Sequence, residues 1–207
     1  KKTIGRPRKF DKDQVIAIGM KYFWVNGYDN SSLVALLKIM GIKQSSFYAT
    51  FESKEKFFSL TLDLYVEELF KKITNLKNKI GVKGALLFIV TKRIDDLNNL
   101  INLNSTKEHL STNSTKGCLL TNSGLECFGK YPNLSQKISS HYSIFMEFFR
   151  SLIEEGKVNK EITSQADSKI LTIQYLTMFN GLIVLLQVGV EQQVIDEILF
   201  SIKELLK

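Results

Sequence analysis

Apolar residues recur at three- and four-residue spacing along nearly the whole chain, and no useful stretch alternates with period two. The pattern predicts an all-α protein. A first helix is expected over 11–26, with Val15, Ile16, Gly19, Tyr22 and Phe23 on one face and Asp11 and Asp13 in the first turn, where the helix dipole favours negative charge. Gly27 is expected to end it as a C-terminal cap in the left-handed conformation. Ser31 and Ser32 are candidate N-caps for a second helix whose buried face is Leu33, Leu36, Leu37 and Met40. Gly41 breaks that helix and Ile42 pins the turn. A third helix is expected from residue 43 or 44 to 50, with Phe47 and Phe51 pointing inward. Ser53 opens a fourth that continues to about residue 76.

The pattern stays helical beyond. Gly81 and Gly84 punctuate before a helix over about 85–100. Residues 102–116 are rich in Asn, Ser and Thr and read as a loop with a short helix. Further helices are expected over 118–128, from Tyr131-Pro132 to about 155, over 166–189, and over 191–206. Both prolines, Pro7 and Pro132, avoid the interiors of these runs. The expected organisation is a flexible basic arm over 1–9, a three-helix helix-turn-helix domain over 10–56, and a larger helical-bundle domain for ligand binding and dimerisation over 57–207.

Charge sharpens the picture because it is uneven. The chain carries a formal net charge of +7. Residues 1–60 hold 11 Lys and Arg against 5 acids, so nearly all the excess lies there. That asymmetry points to a polyanionic partner at this end, with a solvated basic tail as the plainer alternative. Cys118 and Cys127 have neither a disulfide-framework nor a zinc spacing. Nine residues along one straight helix separate them by about 13 Å, which disfavours a redox pair. His109 and His141 have no nucleophile or metal-ligand partner at a suggestive spacing, so no enzyme, metal or cofactor is expected. No signal-peptide pattern opens the chain, and the apolar stretch Leu182 to Val190 is too short for a bilayer. The expectation is a soluble cytoplasmic protein with no membrane partner.

Residues 32–51 have what a helix-turn-helix requires. Gly41 tolerates the positive φ of the turn, and Leu36, Leu37, Met40, Ile42 and Phe47 form a shared seam. The exposed face of the third helix then presents Lys43, Gln44, Ser45, Ser46, Tyr48 and Thr50. Gln44 can pair with adenine, and Lys43 can reach guanine or phosphate. Ser45 and Ser46 permit close approach, and Tyr48 suits phosphate or a thymine methyl. Lys54, Ser31 and Ser32, at helix starts, are candidate phosphate anchors. Arg6 and Arg8 of the arm could enter an adjacent minor groove.

Residues 10–58 resemble the N-terminal domain of the TetR family of bacterial transcriptional regulators. The run from Gly27 to Leu33, then Leu36, Gly41-Ile42, Ser46-Phe47-Tyr48, Phe51 and Ser53-Lys54-Glu55, follows that family's pattern without gaps. Gly5 to Arg8 resembles the arm of many members. Lys116 to Asn122 with Glu126 resembles a segment of one subgroup's ligand domain. The resemblance implies an all-helical homodimer that represses transcription from double-stranded operator DNA and is released by a small-molecule effector. A DNA-binding regulator of the same fold without an effector is the alternative. The chain departs from the family at Ser45, where glycine is frequent, and at Ala49 and Thr50, where aromatic residues or histidine are frequent. That puts Thr50 in doubt as a DNA contact. Trp24 and Val25 are unusually apolar for a helix end and are expected to pack on the fourth helix.

In the family the central helices enclose a ligand cavity, which makes Phe88, Phe128, Tyr142, Phe145 and Phe149 candidate walls. Plain core packing is the alternative. Asn122, Glu126, His141 and Gln174 could orient a ligand, or be satisfied by neighbours. Ile170, Ile173, Leu176, Phe179, Ile183 and Leu186 line one of the last two helices, and Val194, Ile198, Leu199, Ile202 and Leu205 line the other. Two such helices from each protomer would form a two-fold four-helix interface. It would set two reading helices about 34–36 Å apart, the distance between successive major grooves.

Overall fold

A computed structural model describes residues 10–102 and 117–207, and the side chains of residues 97–102 are not described. Arg6, Arg8, His109 and the polar stretch 103–116 therefore lie outside the described residues. The described residues form eight helices and no strand: α1 Lys12–Asn26, α2 Leu33–Met40, α3 Gln44–Phe51, α4 Lys54–Asn102, α5 Leu119–Cys127, α6 Pro132–Val158, α7 Ser168–Val188 and α8 Gln192–Leu205.

Local chemistry sets most helix ends. Asp11 caps α1 by accepting from the backbone of Asp13 and Gln14. Ser32 caps α2, Ser53 accepts from the Lys56 amide at the start of α4, and Asp167 caps α7. Gly27 has φ 77 and ψ 176, so it ends α1 with positive φ but outside the left-handed helical region that was expected. Gly41 does adopt that region, at φ 65 and ψ 27. The two helices expected either side of residues 81–84 are one long element, interrupted only at Gly81 with φ 78 and ψ 170.

A cluster of aromatic side chains closes the first core. Phe23, Phe47, Phe57 and Phe58 are fully buried, with Phe51 and Tyr28 nearly so. Their ring centroids lie 4.7–6.2 Å apart, several edge-on, as aromatic quadrupoles prefer. Phe57 and Phe58 belong to α4, so residue 56 lies inside that helix, and the first turns of α4 pack into the core of α1 to α3. α1 crosses α4 closely at Gly19, where a Cβ would sit 2.4 Å from the Phe57 ring.

The second core is formed by α4 to α8. Phe70 of α4 stacks on Phe148 of α6 at 4.0 Å. Tyr175 of α7 is fully buried and donates its hydroxyl to the Leu86 carbonyl. By length and composition α7 could cross a membrane, with a mean hydropathy of 1.5, so the expectation that no stretch suffices needs correcting. The apolar run begins well upstream of Leu182, and its inner residues Leu171, Tyr175, Phe179 and Leu182 are buried against the bundle.

Candidate nucleic-acid interface

α3 is held from behind and exposed in front. Phe47 and Phe51 anchor it in the aromatic core. One turn around, Lys43, Gln44, Ser45 and Tyr48 are exposed, and Ser46 and Thr50 are half-buried. The Tyr48 ring leans edge-on against Phe47 and stays partly exposed. Lys43 stands at the N-cap position without a side-chain cap, so backbone N–H groups of the first turn are left for an anion. The structure thus brings Lys43, Gln44, Ser45, Ser46 and Tyr48 to one surface.

Of the expected phosphate anchors, Ser32 is exposed, and its oxygen accepts from the Ala35 amide at 3.1 Å while its O–H donor remains available. Ser31 must be withdrawn. It is fully buried and donates its hydroxyl to the Gly27 carbonyl, because the chain turns inward there to seat Tyr28 in the core. Lys54 is also not a free clamp. Its ammonium donates to the Tyr28 carbonyl at 2.6 Å and lies 4.2 Å from the centre of the Tyr28 ring. Partial burial depresses its pKa, with Asp29 and Glu126 opposing the shift.

What orients this surface was not expected from the sequence. The Glu126 carboxylate, at the end of α5, accepts the backbone N–H groups of Tyr28 and Asp29, both at 2.8 Å. Gly27 makes that approach possible, since a Cβ there would lie 2.8 Å from Glu126 Oε1. Asp29 in turn accepts from Lys130 at 3.0 Å and from the Tyr131 hydroxyl. These two donors, the tyrosine first, hold the Asp29 carboxyl below its ordinary pKa. Asn133 adds a bond to Glu55 at 3.0 Å. The α5–α6 corner therefore clasps the α1–α2 turn and the start of α4. Glu126, proposed from sequence as a ligand group, is instead the centre of this clasp.

The other expected ligand residues scatter. Phe128 is 83% exposed and walls no cavity, because it follows the last turn of α5 and points away from the bundle. Gln174 is exposed on the outer face of α7. Phe145 and Phe149 are buried and pack on each other, and Phe149 packs in turn on Tyr175. Asn122 is half-buried in α5. Tyr142 donates to Thr121 at 2.7 Å, and Thr121 donates to Asn180 Oδ1 at 3.1 Å, a polar chain across three helices that the sequence reading missed. His141 is buried with Asp63 at 2.9 Å on one ring nitrogen and the Lys137 carbonyl at 3.0 Å on the other, so it joins α4 to α6. Phe88, half-exposed, lies on the wall of a crevice between α1 and the two halves of α4.

Trp24 packs edge-on against Tyr65 of α4, as its apolarity suggested, and its indole N–H donates to the Gly117 carbonyl at 3.1 Å. Both cysteines are free and buried, and burial pushes the Cys127 thiol up to about 11. No cluster of three or more His, Cys, Asp or Glu able to hold a metal occurs among the described residues.

An all-helical chain with two short helices joined at Gly41 and packed on a larger bundle has a helix-turn-helix architecture, and comparison with known proteins narrows the fold. The fold is that of TetR family transcriptional regulators. A cysteine-substituted variant of the TetR family regulator CifR, solved in complex with a 26-base-pair double-strand operator DNA, superposes with a TM-score of 0.71 at 24% identity over 98% of each chain. A TetR family regulator from Cytophaga hutchinsonii gives 0.72 at 18% identity, covering 94% of this chain and 92% of that one. In sequence, the chain is 40% identical over 72 residues to the HTH-type transcriptional repressor ComR of Escherichia coli K12, and 39% identical over 62 residues to the repressor BdcR of the same organism. Those matches cover 35% and 30% of this chain, and about a third of each relative, 34% and 32%. No protein-family model matches the chain.

Proposed function

We propose that the chain is a cytoplasmic, homodimeric transcriptional repressor that binds a palindromic operator and is released from it by a small ligand. The observation that carries the reading is the α3 surface: a polar, exposed face on a helix pinned from behind by Phe47 and Phe51. Gln44 is the base reader in this reading, Lys43 reaches guanine or phosphate, Ser45, Ser46 and Tyr48 are the close-contact residues, and Ser32 with the remaining Lys54 donors are the phosphate anchors. Arg6 and Arg8 are assigned to the minor groove. Residues 10–56 are the reader, and the helices beyond serve effector binding and dimerisation. CifR bound to its operator supports the geometry by analogy of fold.

Dimerisation is supported by a second face. Ile170, Ile173, Val184 and Val188 of α7 and Phe200 of α8 are between 45% and 74% exposed. Along α7 they recur at helical spacing around Gly181, which has nothing within 4 Å of where a Cβ would be. A stripe of this kind is what a two-fold four-helix interface covers.

A mobility-shift titration against the DNA upstream of its own gene tests the reading. Retardation at low salt is expected, and its absence with folded dimer would overturn it. Gln44→Ala is expected to relax sequence preference at a cost of about 1–3 kcal/mol, whereas Lys43→Ala lowers the salt dependence. A regulator without an effector is the second reading, favoured by the filled packing of Phe145, Phe149 and Tyr175.

A further inference from the structure

The rotation of α3 about its own axis is fixed by two side chains. Phe47 is fully buried and Phe51 nearly so, and both rings pack on Phe57 of α4. At about 100° per residue they define one inward direction, and the residue diametrically opposite is Ala49. Ala49 is exposed. Ser45 lies about 40° to one side of it and Ser46 about 60° to the other, whereas Tyr48 and Thr50 are each turned away by about 100°. Phe10 packs on Phe51, so the chain that enters α1 approaches α3 from the opposite side. Among these residues Ala49 alone ends in a bare methyl, which offers no donor or acceptor to a base edge or a phosphate. Polar base-edge atoms facing it would lose water and gain no partner. The 5-methyl of thymine is the one methyl group in the major groove, and it has no such atoms to leave unpaired. Glu52, exposed at the end of α3, does not bar the approach of DNA, because Lys56 pairs with its carboxylate. A side chain longer than a methyl at Ala49, the point of α3 farthest from the core, would hold the helix off the groove floor.

We propose that Ala49 is a specificity-determining residue of the reader, its methyl packing on the 5-methyl of a thymine in the major groove, once in each half-site. The inference rests on the reading of the chain as a dimer that binds operator DNA. It adds an apolar contact to the hydrogen-bonding contact of Gln44, and it selects thymine against cytosine at the base pair beneath the centre of α3.

One DNA sequence made in two ways tests this. The fragment upstream of the protein's own gene is synthesised with thymidine or with deoxyuridine throughout, which removes every 5-methyl and leaves the hydrogen-bonding pattern of each base pair intact. The full chain is titrated against each fragment by fluorescence anisotropy at one low salt concentration, since affinity for DNA depends on salt. Burying one carbon contributes about a fourfold preference at each contact, so a dimer should favour the thymidine fragment by roughly tenfold or more. Ala49→Gly removes the methyl, and Ala49→Ser replaces it with a hydroxymethyl group while disturbing the helix less than glycine does. Both variants should lose most of the preference, whatever their overall affinity. Equal binding of the two fragments by the parent overturns the proposal, and that measurement needs no variant. A preference that survives undiminished in the folded variants overturns it as well, because other methyl contacts then account for it. If the parent binds both fragments equally, the Ala49 assignment falls and the regulator reading stands. If folded, dimeric parent binds neither, the regulator reading falls and the assignment with it.

Discussion

Replacing Glu126 with alanine should loosen the reader without unfolding the bundle. The carboxylate accepts two backbone N–H groups at 2.8 Å, and a hydrogen bond to a charged acceptor contributes about 1.5–3 kcal/mol. The Asp29 donor is exposed and the Tyr28 donor only partly buried, so water can reach them and the lower end applies: roughly 1.5 kcal/mol for each amide. Amide hydrogen exchange, followed residue by residue by NMR, reads this directly. Exchange at Tyr28 and Asp29 should accelerate at least about tenfold, since 1.4 kcal/mol is a factor of ten. Core amides of α6 and α7 should stay as protected as in the parent. Glu126→Gln keeps one oxygen and turns an N–H donor toward the second amide, so one of the two amides should remain protected. Unchanged exchange at both Tyr28 and Asp29 in the alanine variant would show that the clasp contributes nothing. Uniform acceleration across the chain would show that Glu126 acts on global stability instead.

Three other outcomes follow from the geometry. The Asp29 carboxyl is held below its ordinary 3.8 by Tyr131 and Lys130, so its share of the clasp is complete above that pH and is lost as pH falls through the lowered value. Lys130 is raised from 10.5 by the same contact, so its share is complete below that pH and lost as pH rises through the raised value; Asp29→Asn should abolish both transitions in pH-dependent melting. Gly19→Ala should destabilise the chain, because overpacking against Phe57 costs about 1–3 kcal/mol and outweighs the roughly 1 kcal/mol that alanine adds to a helix; a urea midpoint at or above the parent's would contradict this. Ile173→Glu should leave the helical content intact and shift sedimentation from dimer to monomer, and an unchanged dimer would remove α7 from the interface.

The reader could be seen in the sequence because its constraints are local. Gly27 and Gly41 mark turns, and Phe47 and Phe51, four apart, must share a face. Local reasoning also found Ser32, whose hydroxyl caps its own helix. It could not separate Ser32 from Ser31, since only the inward path of Tyr28 decides which serine is buried. The clasp was hidden for a different reason: Glu126 lies 98 positions from the amide it holds, and nothing near it in sequence signals a partner. α7 misled through excess, since apolar residues surround much of the helix and periodicity cannot say that Leu171 and Tyr175 face inward while Ile170 and Ile173 face outward. Asn180, a lone amide in that apolar run, was the one available hint of the polar chain to Thr121 and Tyr142. Phe128 was misplaced because a nine-residue helix carries too few turns to fix a face.

The break at Gly81 can be viewed as a fulcrum. It is anchored on both sides, with Glu161 accepting the Lys83 amide at 3.1 Å just beyond it and Glu155 paired with Lys77 at 2.8 Å just before it. From there α4 runs without interruption back to Lys54, in the reader's core, a rod of about 40 Å at 1.5 Å per residue. A tilt of only about 5° at its root would sweep the other end through roughly 3.5 Å, close to the rise of one base pair. In the proposed dimer on DNA, two such rods would turn small rotations near their roots into whole-base-pair errors in register.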